Sequence, residues 1–125
     1  MKKFYFFLAF LFFGFSNSQN NRSSDYYDIK KNYEKYPEND SRAFPFVTQY
    51  IALAKKNKDH SQLVQAYKDA VYFSASETTK IKYADSTILS ALITKNNDLI
   101  SDAYLGKGII YYFNYKSTNL RWMSI

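Results

Sequence analysis

The chain is predicted to be all-α, built of antiparallel helix pairs stacked side by side into a short solenoid. Three observations predict this. From Asp25 to Lys116 apolar residues recur at helical spacing, the breaks between periodic stretches are short and polar, and the pattern of one pair returns 37 residues later. No alternation of apolar and polar residues is long enough to compete as a strand.

The first stretch is not part of that fold. Met1, Lys2 and Lys3 precede the apolar run FYFFLAFLFFGF from Phe4 to Phe15, and SNSQNN follows at once. A basic start, an apolar run and small residues at Ser16 and Ser18 are the layout of a secretory signal peptide, with cleavage expected between Ser18 and Gln19. The run is shorter than the roughly 20 residues of a spanning helix, so the membrane is reached only if this segment stays uncleaved. The protein is expected to be exported, to the periplasm or the cell envelope. Residues 19–24 are polar and aperiodic and read as a flexible leader.

With Lys2 and Lys3 removed, 15 of the 17 basic residues remain against 11 acidic ones. That excess is small and diffuse, so nucleic acid is not an expected partner. Lys55, Lys56 and Lys58 follow an apolar run and are expected in a last helical turn, where cations complement the exposed carbonyls. There is no cysteine, hence no disulfide and no thiolate metal site.

The folded part is expected to begin near Asp25. Tyr26, Ile29, Tyr33 and Tyr36 share one face of a first helix that Pro37 ends. Asp40 or Ser41 caps the next helix, which accommodates Pro45 in its first turn and carries Phe46, Val47, Tyr50, Ile51, Leu53 and Ala54 as its apolar stripe. A third helix begins at Ser61. A fourth starts at Ser76 with a capping serine and a glutamate in its first turn. The last opens after Asn97 and Asp98.

Sliding the chain by 37 residues places Val47, Ile51 and Ala54 on Ala84, Ile88 and Ala91. The alternate helices obey the same shift: Leu63, Ala66 and Tyr67 fall on Ile100, Ala103 and Tyr104, and Ile29 falls on Ala66. A helix pair cannot bury its apolar face alone, and small residues at fixed positions let neighbouring helices approach closely. Two repeats, 25–57 and 61–95, and a half repeat, 98–116, are expected.

These residues resemble the tetratricopeptide repeat family. Ala103, Tyr104, Gly108 and Tyr111 match the small, aromatic, glycine and tyrosine positions of its first helix, and Ala84, Ile88 and Ala91 match the small, bulky and small positions of its second. The spacing of 37 exceeds the usual period of about 34, Val71 stands where Gly108 predicts glycine, and Asp59 and Asn96 stand near the expected proline. The resemblance implies a right-handed solenoid. Over residues 1–116 the chain is also similar to the exported front part of Bacteroidetes-type membrane-bound regulators, which join a periplasmic repeat region to a cytoplasmic helix-turn-helix domain of the AraC type.

No catalytic, cofactor or metal site is expected. His60 lies in NKDHSQ without a second ligand and reads as a solvated turn histidine. Lys82, Asp85 and Ser86 lack a base to activate the serine and read as a polar helix face. Gly106 and Gly108 lack the pattern of a phosphate loop and are expected to serve close helix packing.

Binding is the function left. A solenoid normally uses the concave surface made by the first helix of each pair. The resemblance puts Gln65, Lys68 and Tyr72 of one repeat, and Asp102, Leu105, Ile109 and Tyr112 of the next, on that surface, where a protein or peptide partner would lie. Residues 117–125 break the pattern. The expectation is a frameshift or premature stop in the sensor part of a longer regulator; in the alternative, a short exported adaptor or assembly protein, Leu120 and Trp122 cap the open end.

Overall fold

The computed structural model describes residues 23–123, and the expected signal segment, residues 1–18, lies outside them. Helix α1 spans residues 23–31. A single 3-10 turn, Ser41–Ala43, leads into α2 (Phe44–Lys56), followed by α3 (His60–Phe73), α4 (Glu77–Thr94) and α5 (Asn97–Met123). The described residues contain no strand, so the chain is all-helical there.

The capping chemistry fixes most boundaries. Asp40 accepts the Arg42 amide at 3.0 Å and Asp59 accepts the Gln62 amide at 3.1 Å, each relieving an unpaired donor at a helix start. Ser76 does the same for the Thr79 amide at 3.2 Å. Asn96 takes two amides, those of Asp98 at 3.0 Å and Leu99 at 3.3 Å. Pro45 sits in the first turn of α2, where its missing donor costs nothing.

Two inter-helix turns repeat in their backbone. Lys58 precedes the cap Asp59 with φ 52°, and Lys95 precedes the cap Asn96 with φ 56°. Lys58 therefore lies past the last turn of α2, which holds Lys55 and Lys56, and not within it as expected.

Burial repeats as well. Val47, Ala54 and Ala91 are fully buried and Ala84 nearly so; Ala66 and its counterpart Ala103 are buried too. One core joins Tyr26, Tyr33, Val47, Tyr50, Leu63, Ala70 and Phe73; a smaller one joins Val64 with Ile88, Ala91 and Ala103. Helix α3 thus buries two faces, one toward α1 and α2 and one toward α4 and α5. Contacts also skip a helix: Tyr33, just past α1, meets Phe73 of α3 edge to face at 5.6 Å, Phe44 of α2 meets Tyr83 of α4 at 6.1 Å, and Lys68 of α3 pairs with Asp102 of α5.

The first helix is shorter than expected. It ends at residue 31, and Asn32 to Tyr36 continue as turns with bonds such as Asn32 to the Ile29 carbonyl and Tyr36 to the Tyr33 carbonyl. Such i to i−3 bonds keep Tyr33 and Tyr36 on the same side as Tyr26, so the expected face survives. Residues 23 and 24, expected in a flexible leader, already belong to α1.

The last helix is longer than expected. Instead of ending near Lys116 it runs unbroken to Met123, because nothing after Gly108 breaks a helix and Thr118 donates to the Asn114 carbonyl at 3.0 Å. Leu120 and Trp122 cap nothing there: both are exposed.

Candidate functional site

Between α3, the start of α4 and the middle of α5 lies an open cleft of about 490 Å³. Val71 and Tyr72 of α3 form one wall, Ile109, Ile110 and Phe113 of α5 the other, and Glu38, Glu77 and Lys80 close the end. A smaller hollow of about 160 Å³ continues along the same two helices past Asp102, Leu105 and Lys107. The cleft lies where α5 continues to Met123 beyond the level at which α3 ends at Phe73, and most residues in the second half of α5 are exposed.

The charges in this region are unequal in availability. Lys68 is paired with Asp102 across the mouth. The Lys80 ammonium donates to the Val71 carbonyl at 3.1 Å, and burial holds its pKa below the ordinary lysine value while Glu38 works against that fall. Glu38 and Glu77 lie at the rim; neither forms a close ion pair with another described residue, although Glu38 is near enough to Lys80 to attract its charge. The cleft therefore offers an apolar floor beside two carboxylates, of which Glu38 is partly compensated by Lys80.

Of the seven residues expected at a binding surface, Lys68, Tyr72 and Ile109 line the cleft, and Asp102 and Leu105 line its continuation together with Lys68 and Ile109. Gln65 and Tyr112 line neither. Gln65 donates to Asp69 at 2.9 Å, the carboxylate that also accepts from Tyr33, and Tyr112 is exposed against the Phe113 ring at 5.6 Å. Sequence reasoning missed Val71, Ile110, Phe113, Glu38 and Glu77. Ile110 and Phe113 follow Ile109 by one and four residues, so a small correction of helix phase would have found them; Glu38 comes from a turn and carries no sequence signal.

The other polar groups are structurally engaged. Asp85 pairs with Lys107 at 2.5 Å, a contact that raises the lysine pKa, and the Ser86 hydroxyl donates to the Lys82 carbonyl at 3.2 Å. His60 is not a solvated turn residue: it opens α3, half-buried, with Nδ1 enclosed and without a partner. Gly106 and Gly108 serve no packing, since a methyl group at either would meet nothing within 4 Å. Among the described residues no cluster of three His, Asp or Glu could hold a metal, and no helix is long and apolar enough to cross a membrane. No family model matches the chain, and neither does any curated protein or solved structure.

Proposed function

We propose that this chain is a non-catalytic helical-repeat module of the tetratricopeptide type that holds a protein or peptide segment in the cleft between α3 and α5. The observation that carries the reading is the cleft itself, with an apolar floor of Val71, Ile109 and Phe113 beside the carboxylates of Glu38 and Glu77. Its chemistry selects a bulky apolar side chain next to a lysine or arginine. The contacts that skip a helix, and the turns at Lys58 and Lys95 that share a left-handed residue followed by an Asx cap, support a stacked-repeat arrangement.

The module acts outside the cytoplasm, as the leader at Phe4–Phe15 argues. Two settings suit it: the sensor part of a membrane-bound regulator, which the resemblance implies, and a short exported adaptor of the envelope. Reading the gene past the codon for Ile125 separates them.

The direct test is a fluorescence-anisotropy titration of the full chain against labelled peptides carrying an apolar residue beside a basic one. Binding should weaken by about tenfold or more in Ile109→Glu and fall with added salt in the parent but less in Glu38→Gln/Glu77→Gln. Absence of binding across such peptides, or affinity indifferent to Ile109→Glu, refutes the reading.

A further inference from the structure

The smaller hollow beside the cleft, about 160 Å³, lies where three side chains are small: Ala84 and Thr87 of α4 and Gly106 of α5. Shifted back by 37 residues, these positions are Val47, Tyr50 and Asp69, each larger. The earlier trio surrounds a ring. Tyr33, 2% exposed, donates its hydroxyl to Asp69, packs edge to face on Phe73, and lies near enough to Tyr50 for that phenol to disfavour its ionisation. Val47, Tyr50, Tyr33 and Phe73 belong to one core. At the shifted positions Phe73 becomes Ile110, which also lines the hollow, but Tyr33 becomes Ala70, which has no ring to place there.

The space suits one aromatic ring. An apolar cavity of about 150 Å³ takes up benzene, and this hollow is close to that volume. Gly106 helps to keep it open, since a methyl group there would meet nothing within 4 Å. Glycine inside a helix is destabilising relative to alanine, and no neighbour within the chain needs the room it leaves.

The polar end has a counterpart as well. Asp69 accepts from Tyr33 and from Gln65, four residues before it. Gln65 becomes Asp102, four residues before Gly106, and Asp102 lines the hollow. Lys68 donates to its Oδ2, and a carboxylate has about four lone-pair sites, so a phenolic hydroxyl finds an acceptor at the rim. A phenylalanine or leucine side chain would fill the volume and leave that acceptor unused. We infer that the hollow is a subsite for a tyrosine side chain of the bound peptide, with its ring against Thr87 and Gly106 and its hydroxyl on Asp102. The inference rests on the peptide reading of the adjoining cleft and names the apolar residue that the peptide carries.

Saturation-transfer NMR with p-cresol, the tyrosine side chain as a free molecule, tests the hollow without any peptide. The full chain should bind p-cresol about fivefold more tightly than toluene. Asp102→Ala should remove that preference, and Gly106→Leu, with helical circular dichroism retained, should abolish both signals. Asp102→Ala keeps the test decisive if Gly106→Leu disturbs the fold. In the anisotropy titration, a peptide carrying tyrosine should bind the parent about fivefold more tightly than its phenylalanine analogue, and Asp102→Ala should bind the two equally. Equal affinity for p-cresol and toluene overturns the proposal even where peptides bind and Ile109→Glu weakens them; the cleft reading then stands without this subsite. Expected p-cresol binding with no peptide bound at all also overturns it, because the hollow then serves a free phenolic molecule and the peptide reading itself has failed.

Discussion

The Tyr33 hydroxyl donates to Asp69 Oδ2 at 2.6 Å, joining the turn after α1 to the middle of α3 across 36 residues of chain. Gln65 donates to the other oxygen of that carboxylate at 2.9 Å, so a single aspartate fixes the spacing between these two elements. The ring below the hydroxyl is 2% exposed and packs edge to face on Phe73. Tyr33→Phe keeps that packing and removes one donor from a part-buried carboxylate. It should cost about 1 kcal/mol in urea unfolding, and Tyr33→Phe combined with Asp69→Ala should cost less than the sum of the two single changes.

Alkaline pH attacks the same place. Burial, then the hydrogen bond to Asp69, pushes the Tyr33 phenol well above its ordinary value of 10.0, and burial raises Tyr50 likewise. A folded state that holds these protons more tightly than the unfolded chain has their full stabilisation below pH 10.0 and loses it as pH rises beyond that. Circular dichroism should stay flat up to about that pH and then fall, and the part of the phenolate absorbance that Tyr33→Phe removes should appear together with that fall. In Tyr33→Phe the decline should be shallower. A Tyr33 contribution, taken as the difference between parent and Tyr33→Phe, that appears well before the helical signal drops would contradict this.

The all-helical fold was legible from its periodicity, and the buried alanines were legible because they are small residues in a fixed phase. Ala54 and Ala91 cannot be replaced by anything larger without displacing a neighbouring helix, so their spacing records the packing directly. The early end of α1 was not legible, since Tyr33 and Tyr36 lie three apart, and a spacing of three suits successive 3-10 turns as well as an α-helix. Nor was the extension of α5. Tyr111 to Met123 contains no glycine or proline, so only analogy with the preceding repeat argued for a turn there. The cleft draws Glu38, Val71 and Phe113 from three elements that no local pattern connects.

The inter-helix breaks were expected, but their left-handed residues, Lys58 and Lys95, were hidden for a related reason. Left-handed backbone is signalled by glycine or asparagine, and lysine gives no such sign. An L-residue with a Cβ pays for that conformation, so Lys58→Gly and Lys95→Gly should each stabilise the chain by up to about 1 kcal/mol, less the extra freedom glycine gains when unfolded. Thermal unfolding of both variants should show a small rise in midpoint. A loss at either site would mean that its turn does not hold the left-handed conformation.

Ala54 and Ala91 allow the packing to be tested at two equivalent points. Both side chains are fully buried, Ala54 in the larger core and Ala91 in the smaller one, with no space for added methyl groups. Alanine to leucine at either should force the neighbouring helix outward and cost about 1–3 kcal/mol. Ala52, exposed on the same helix as Ala54, is the matched control, and Ala52→Leu should change stability by no more than about 0.5 kcal/mol. Because the two alanines lie in different clusters, the double variant should show additive losses. Equal tolerance of leucine at positions 52 and 54 in chemical denaturation would remove the close approach of α2 to its neighbours. Tolerance at 91 alone would instead show that α5 packs loosely on α4.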